Sequence, residues 1–120
     1  MGFNYDEFCE KILRINEKIR YVGVYHKGEF HSKMQKGLKS LLSEAEIKNS
    51  AVEAVKRWET RLSMASKLGK AVYSLTKYEK VNRMTFPINE DGLILVSVET
   101  RLDPNSIVEK IIEIRDRAFS

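Results

Sequence analysis

The sequence has few of the residues that usually carry covalent cross-links, metal binding or catalysis. It contains one cysteine, two histidines and two prolines in 120 residues. A single cysteine excludes an internal disulfide, which fits the reducing cytoplasm. Cys9 lies beside Phe8 and Ile12 in an apolar stripe with helical spacing, so we predict an inert core thiol and not a reactive one.

Familiar catalytic and nucleotide-binding motifs are also missing. The chain lacks both glycine-rich phosphate loops, G-x-x-x-x-G-K-[ST] and G-x-G-x-x-G, and it lacks H-E-x-x-H, C-x-x-C and G-x-S-x-G. No nucleophile and base can be paired from the sequence, so we predict no enzyme and no cofactor. There is no apolar run of about 18 residues and no signal-peptide pattern at the N-terminus, which predicts a cytoplasmic protein without a membrane span.

Length and composition are those of one globular domain, residues 1–120. Apolar residues make up 42% of the chain and charged residues 32%. The net charge of +4 is uneven, because residues 48–83 hold nine Lys and Arg against three Glu, while the rest carries −2. A basic middle segment raises nucleic acid or an acidic protein as a partner.

The N-terminal half predicts a helix followed by a β-hairpin. The predicted elements are a helix over Tyr5–Glu17 and strands over Ile19–Tyr25 and Glu29–Met34. Asn4 can cap the helix, with Glu7 completing a capping box. Lys27–Gly28 suits a two-residue turn, because glycine tolerates a positive φ. In that register the numbers of paired residues sum to 55.

The remainder predicts a long helix, three strands and a final helix. "GLKSLLSEAEIKN" is interpreted as a loop with a short helix or irregular turn. The strong helix then begins after Ser50, with Glu53 completing S-x-x-E, and ends at Gly69. Strands follow in "KAVYSLTKY", "VNRMTFPI" and "GLILVSVE", of which the last is nearly all apolar and therefore central. Asp103 caps the final helix, and Pro104 takes its first position.

The element order is α-β-β-α-β-β-β-α, which predicts an α+β fold. We expect a single five-stranded antiparallel sheet, with the long middle helix on one face and the two terminal helices on the other. This order, together with "DGLILVSVE" leading into a capped C-terminal helix, resembles the roadblock/dynein-light-chain fold and its longin and profilin-like relatives. The resemblance covers about residues 5–119. The sequence also resembles small archaeal proteins, a likeness that implies no activity.

The roadblock resemblance implies a homodimer joined through the middle helices and neighbouring strand edges. It also implies a role as a scaffold or regulator of small GTPases or motors. The segment "SLLSEAEIKNS" departs from the pattern, because it lengthens the link between the second strand and the middle helix.

The first hairpin contains a weak candidate metal site. With paired numbers summing to 55, His26, Glu29 and His31 share one sheet face within reach of a single ion. Lys27 and Lys33 would repel a cation, so a solvated hairpin tip is the favoured interpretation and no metal is predicted. The opposite face carries an aromatic and methionine row that favours core and leaves a ligand surface open: Tyr21, Tyr25, Phe30 and Met34.

An apolar seam runs along the middle helix at spacings of three and four residues. Its members are Ala51, Val55, Trp58, Leu62, Ala65 and Gly69. The seam either packs only on the chain's own sheet or also contacts a twofold-related copy, with Trp58 suited to anchor an interface.

The same helix carries a basic run that is either a solvated face or a surface for an acidic partner. It consists of Lys56, Arg57, Arg61, Lys67 and Lys70. Nucleic-acid stacking would require an exposed aromatic side chain, and Trp58 falls on the apolar seam instead.

These patterns predict a non-catalytic homodimeric scaffold or regulator of roadblock type, with another protein, such as a small GTPase, as its partner. One alternative is a profilin-like sensor of a small ligand or metal. A second alternative is nucleic-acid binding through residues 48–83.

Overall fold

A computed structural model describes residues 2–119, which fold around one antiparallel sheet. The helices are α1 (Tyr5–Leu13), α2 (Glu44–Ser63), α3 (Ala65–Leu68) and α4 (Asn105–Ala118). The strands are β1 (Ile19–His26), β2 (Glu29–Met34), β3 (Ser74–Lys77), β4 (Val81–Ile88) and β5 (Gly92–Glu99). This is the predicted α+β order, with the one-turn helix α3 added after α2.

The strands lie in the order β2-β1-β5-β4-β3, and all neighbours are antiparallel. The central position of β5 is confirmed, because residues 93–96 are buried on both faces of the sheet. The two-residue turn is also confirmed, since Lys27 and Gly28 have φ values of 51° and 82°. The hairpin pairs His26 with Glu29, as the sum of 55 requires.

The sheet separates two apolar layers of unequal thickness. On one face, α1 and α4 pack side chains such as Phe8, Ile12 and Ile111 against the interior residues of β1, β4 and β5. On the other face, α2 packs a smaller cluster on β5, made of Ala51, Ala54, Trp58, Leu93 and Leu95. The predicted layering is therefore confirmed, and the α2 layer is the thinner of the two.

The predicted start of the middle helix was wrong by seven residues. Helix α2 begins at Glu44, where the Ser43 hydroxyl accepts the Glu46 N–H at 3.2 Å and the Glu46 carboxylate accepts the Ser43 N–H at 2.9 Å. "SEAE" is thus an S-x-x-E box that lies ahead of Ser50 and Glu53. The upstream box starts the helix, and Ser50 falls inside it.

Smaller differences concern the ends of elements. Helix α1 stops at Leu13 and not at Glu17, because Asn16 turns the chain by accepting the Lys18 N–H on its side chain and the Ile19 N–H on its carbonyl. Helix α4 begins at Asn105, and the Asp103 carboxylate still accepts the Asn105 N–H at 3.0 Å. The break between α2 and α3 falls at Met64.

The third strand is shorter than predicted. It spans Ser74–Lys77, whereas the pattern predicted a strand from Lys70 onward. Tyr73 precedes it, stacks on Phe86 with ring centroids 5.6 Å apart, and donates a 2.8 Å hydrogen bond to the Asn105 side chain. Packing against α4 therefore takes the chain out of the sheet before β3 begins.

Cys9 lies on the face of α1 that packs against the sheet, with 1% of its surface exposed. Burial, followed by the nearby Asp6 carboxylate, raises the pKa of the thiol to about 12. The side chain is therefore a neutral core group, as predicted.

Candidate interaction surface

The hairpin histidines do not assemble the candidate metal site. His26 is 8% exposed, and its Nδ1 is hydrogen-bonded to the Tyr5 hydroxyl at 2.8 Å, while its Nε2 lies 3.5 Å from an Asp91 carboxylate oxygen. His31 stacks on Tyr5 with ring centroids 4.3 Å apart, and its Nε2 lies 3.9 Å from Glu29. Within residues 2–119, no group of three His, Cys, Asp or Glu side chains is placed to hold a metal ion.

Of the two lysines expected to repel a cation, Lys33 is paired with carboxylates. Lys33 lies 3.0 Å from Glu10 and 3.2 Å from Asp6, and these hydrogen bonds, Glu10 first, raise the pKa of its ammonium group. Its charge is thus paired. Tyr5 and Asp91 engage the two nitrogens of His26, and the Tyr5 ring covers the face of His31. These contacts use the hairpin polar groups to fasten α1 to the sheet.

The seam on the middle helix divides along its length. Ala51 and Trp58 are 5% exposed and pack against Leu93 and Leu95 of the chain's own sheet. Val55 and Ala65 are half-buried, Gly69 ends α3 with φ 84°, and Leu62 is 44% exposed. The N-terminal part of the seam is therefore used internally, and the C-terminal part remains accessible.

Exposed apolar side chains concentrate just beyond that point, in residues 62–78, which we call the edge segment. Six of the ten exposed large apolar side chains of the described chain fall in this segment: Leu62, Met64, Leu68, Val72, Leu75 and Tyr78. An exposed apolar concentration of this kind is typical of an interaction site.

The edge segment includes β3, an edge strand that pairs with β4 alone among the described strands. The Tyr78 N–H donates to the Val81 carbonyl at 2.8 Å, which makes that pair hydrogen-bonded. Because antiparallel ladders alternate, the backbone groups of Lys77 and Leu75 point away from β4, toward the open edge. An unpaired row of this kind can accept a strand from another chain.

The basic run is only partly free. Lys56 lies 3.6 Å from Glu53, and the Arg61 guanidinium lies over the Trp58 ring, 5.0 Å from its centroid. Arg57, Lys67 and Lys70 are exposed. Trp58 is buried and cannot stack on a nucleic-acid base.

Two surface features went unrecognised in the sequence. One is the exposed row of Leu68, Val72 and Leu75, because apolar residues in a predicted helix end and strand do not show which of them lack cover. The second feature is a cavity beside Tyr21 and Met34, two members of the predicted aromatic row. The other two members, Tyr25 and Phe30, are half-buried, and Phe30 packs against the α2 cluster.

The five-stranded antiparallel sheet and the element order are those of the roadblock fold. Solved structures confirm this. A Roadblock/LC7 domain from Streptomyces avermitilis superposes with a TM-score of 0.74 at 8% identity, over 95% of this chain and 93% of that one. MglB of Myxococcus xanthus gives 0.69 at 12% identity, over 94% and 92%. A structure described as MglB with tetrameric arrangement gives 0.67 at 13% identity, over 94% and 88%.

No protein-family model and no curated protein sequence matches the chain. At these identities the similarity concerns the fold. Among residues 2–119, no helix is both long and apolar enough to cross a membrane.

Proposed function

We propose that the protein is a non-catalytic homodimer of roadblock type that acts in the cytoplasm as a scaffold or regulator of another protein. The observation that carries this proposal is the edge segment, where exposed apolar side chains lie beside an unpaired strand. Antiparallel pairing of β3 with β3 of a second copy would satisfy the open backbone groups and cover the apolar side chains. One structural neighbour is described with a tetrameric arrangement, which supports self-association.

The middle helix completes the proposed interface. Ala51 and Trp58 fix α2 on its own sheet, while Val55, Leu62 and Ala65 keep surface toward solvent. A twofold copy joined at β3 brings a second α2 onto the same side of the extended sheet. The seam residues that remain accessible are then available to that helix.

The open edge can be tested with a proline. Lys77→Pro removes an N–H that points away from β4, so the monomer should keep its ladder while the dimer loses one bond per protomer. We expect the dimer dissociation constant to rise by roughly tenfold to a hundredfold, measured by analytical ultracentrifugation. Lys77→Ala removes the same charge but keeps the N–H, so it should dimerise like the parent. A parent chain that stays monomeric at high concentration would exclude the β3 interface. Equal effects of the two substitutions would exclude a contribution of the Lys77 N–H to it.

We further propose that the regulated partner is a small GTPase, contacted through the basic run. Arg57, Lys67 and Lys70 are exposed cations that would favour an acidic surface. The test is calorimetric titration with the small GTPases encoded in the same genome, each loaded with GDP or a non-hydrolysable GTP analogue. We expect binding to one nucleotide state, weakened by salt and by Arg57→Ala but not by Lys110→Ala on α4. Absence of binding in both states would remove the GTPase from the proposal and leave the dimer unaffected.

A further inference from the structure

An apolar cavity lies between the sheet and the segment that leads into α2, and it borders Tyr78 at the C-terminal end of the edge segment. Its volume is about 520 Å³, within the range of roughly 300–1,000 Å³ common for small-molecule sites. Its other apolar walls are formed by Tyr21, Met34, Leu41, Leu42, Ile47 and Val81. Leu41 is 61% exposed, so the cavity opens to solvent on that side.

The wall contributed by residues 36–43 is held by specific hydrogen bonds. The Ser40 hydroxyl donates to the Leu42 carbonyl at 2.7 Å and accepts the Leu42 N–H at 3.1 Å. The Gln35 side-chain amide donates to the carbonyls of Leu13 and Ile19, each at 3.0 Å. The Ser43 capping box then fixes the start of α2. These bonds hold the segment that carries Leu41 and Leu42 in place.

The charged residues that line the cavity are mainly cations. Arg20, Lys80 and Arg83 face it together with a single acid, Glu79. Across residues 2–119, none of the three cations has a carboxylate partner within ion-pair distance. Arg20 makes only a 3.5 Å contact with the Lys39 carbonyl. A cavity with apolar walls and unpaired cations is complementary to an anion that carries an apolar body.

We propose that this cavity binds a small amphipathic anion, with an apolar chain against Tyr21 and Met34 and a carboxylate or phosphate group against Arg20, Lys80 and Arg83. A neutral apolar molecule would leave the cations without a partner. An inorganic anion would leave the apolar walls uncovered. Tyr78 lies at the boundary between this cavity and the edge segment. The two proposals are still tested separately, because ligand titration reports on the cavity and sedimentation reports on the dimer.

The probe is decanoate, titrated calorimetrically into the full chain below micelle-forming concentrations. We expect saturable binding that strengthens by about threefold to fourfold for each methylene between octanoate and decanoate. Decyltrimethylammonium, which has the same chain and the opposite charge, should bind at least about tenfold more weakly. Titration with decyl phosphate identifies the preferred head group. The anion that binds more tightly, decanoate or decyl phosphate, shows whether the cations prefer a carboxylate or a phosphate.

Two substitutions locate the site. Arg83→Gln should weaken decanoate binding by about fivefold to tenfold, and Met34→Trp should weaken it by placing an indole where the apolar chain is proposed to pack. Lys77→Gln is the matched control, because it removes a charge from the same hairpin outside the cavity and should leave binding unchanged. Thermal unfolding checks that each variant folds, and Arg83→Gln remains informative if Met34→Trp does not. Equal affinity for the anion and the cation, or equal weakening by Arg83→Gln and Lys77→Gln, would overturn the proposal.

Discussion

Trp58→Ala should lower the free energy of unfolding by about 3–5 kcal/mol, which is the usual cost of removing a large buried aromatic side chain. Trp58 is 5% exposed and is the largest member of the cluster that fixes α2 to Leu93 and Leu95. Because that layer contains few other side chains, no neighbour can fill the space. For a chain of 120 residues, the midpoint of thermal unfolding should fall by roughly 10–20 °C.

The measurement is urea unfolding followed by circular dichroism, since the variant lacks the only tryptophan. Arg61→Gln removes the guanidinium over the ring and should cost less than about 1 kcal/mol. Leu41→Ala alters an exposed side chain and should stay within about 0.5 kcal/mol of the parent. A loss below about 1 kcal/mol for Trp58→Ala would show that α2 is held to the sheet by other contacts.

The parts of the fold that follow from local rules were predictable from the sequence. Gly28 at a two-residue turn determines the pairing of the first hairpin, and the apolar run in residues 92–98 places that strand at the centre. The middle helix was harder, because its first turns carry Glu44, Glu46 and Lys48 and have no apolar periodicity. The Ser43 capping box starts those turns, and most of their side chains are exposed. Because they are not buried, they carry no apolar residues at helical spacing from which a helix could be predicted.

The surface features depend on which other elements of the fold contact each residue. The spacing of residues within one element carries no information about those contacts. The hairpin register correctly placed His26, Glu29 and His31 on one face, yet Tyr5 comes from another element and takes the space between the rings. Trp58 and Leu62 belong to the same periodic seam, yet the sheet covers the first and leaves the second exposed. Residue type and helical spacing therefore predict an apolar stripe on a helix. They do not predict which residues of that stripe the sheet covers.

Leu75→Asp should raise the dissociation constant of the proposed dimer at least about a hundredfold, through loss of apolar contact and repulsion between like charges. In β3, Leu75 pairs with Met84 and so faces the α1 and α4 side of the sheet. A twofold axis normal to the sheet keeps both copies of α2 on one face. Paired residues of the two copies must then both have odd numbers or both have even numbers. A shift of the pairing by one residue would place side chains of opposite sheet faces next to each other.

Two such registers place the twofold axis near the middle of the four-residue strand β3. One places Leu75 opposite Leu75 of the second copy, and the other places Leu75 opposite Lys77. We expect the first, because Leu75 is 42% exposed and that register covers it with another leucine. Leu41→Asp, at an exposed site outside the edge segment, is the matched control and should leave the mass unchanged in light scattering.

A charge-complementation experiment distinguishes the two registers. If Leu75 meets its own counterpart, Leu75→Asp and Leu75→Lys should each be monomeric alone, and an equimolar mixture should form a heterodimer through the opposite charges. If Leu75 meets Lys77, Leu75→Asp should instead dimerise at least as well as the parent, because each aspartate then faces a lysine, while Leu75→Lys should dissociate. Dimers of unchanged affinity for both variants would contradict pairing through β3 altogether, because either register brings residue 75 against a charged or apolar partner.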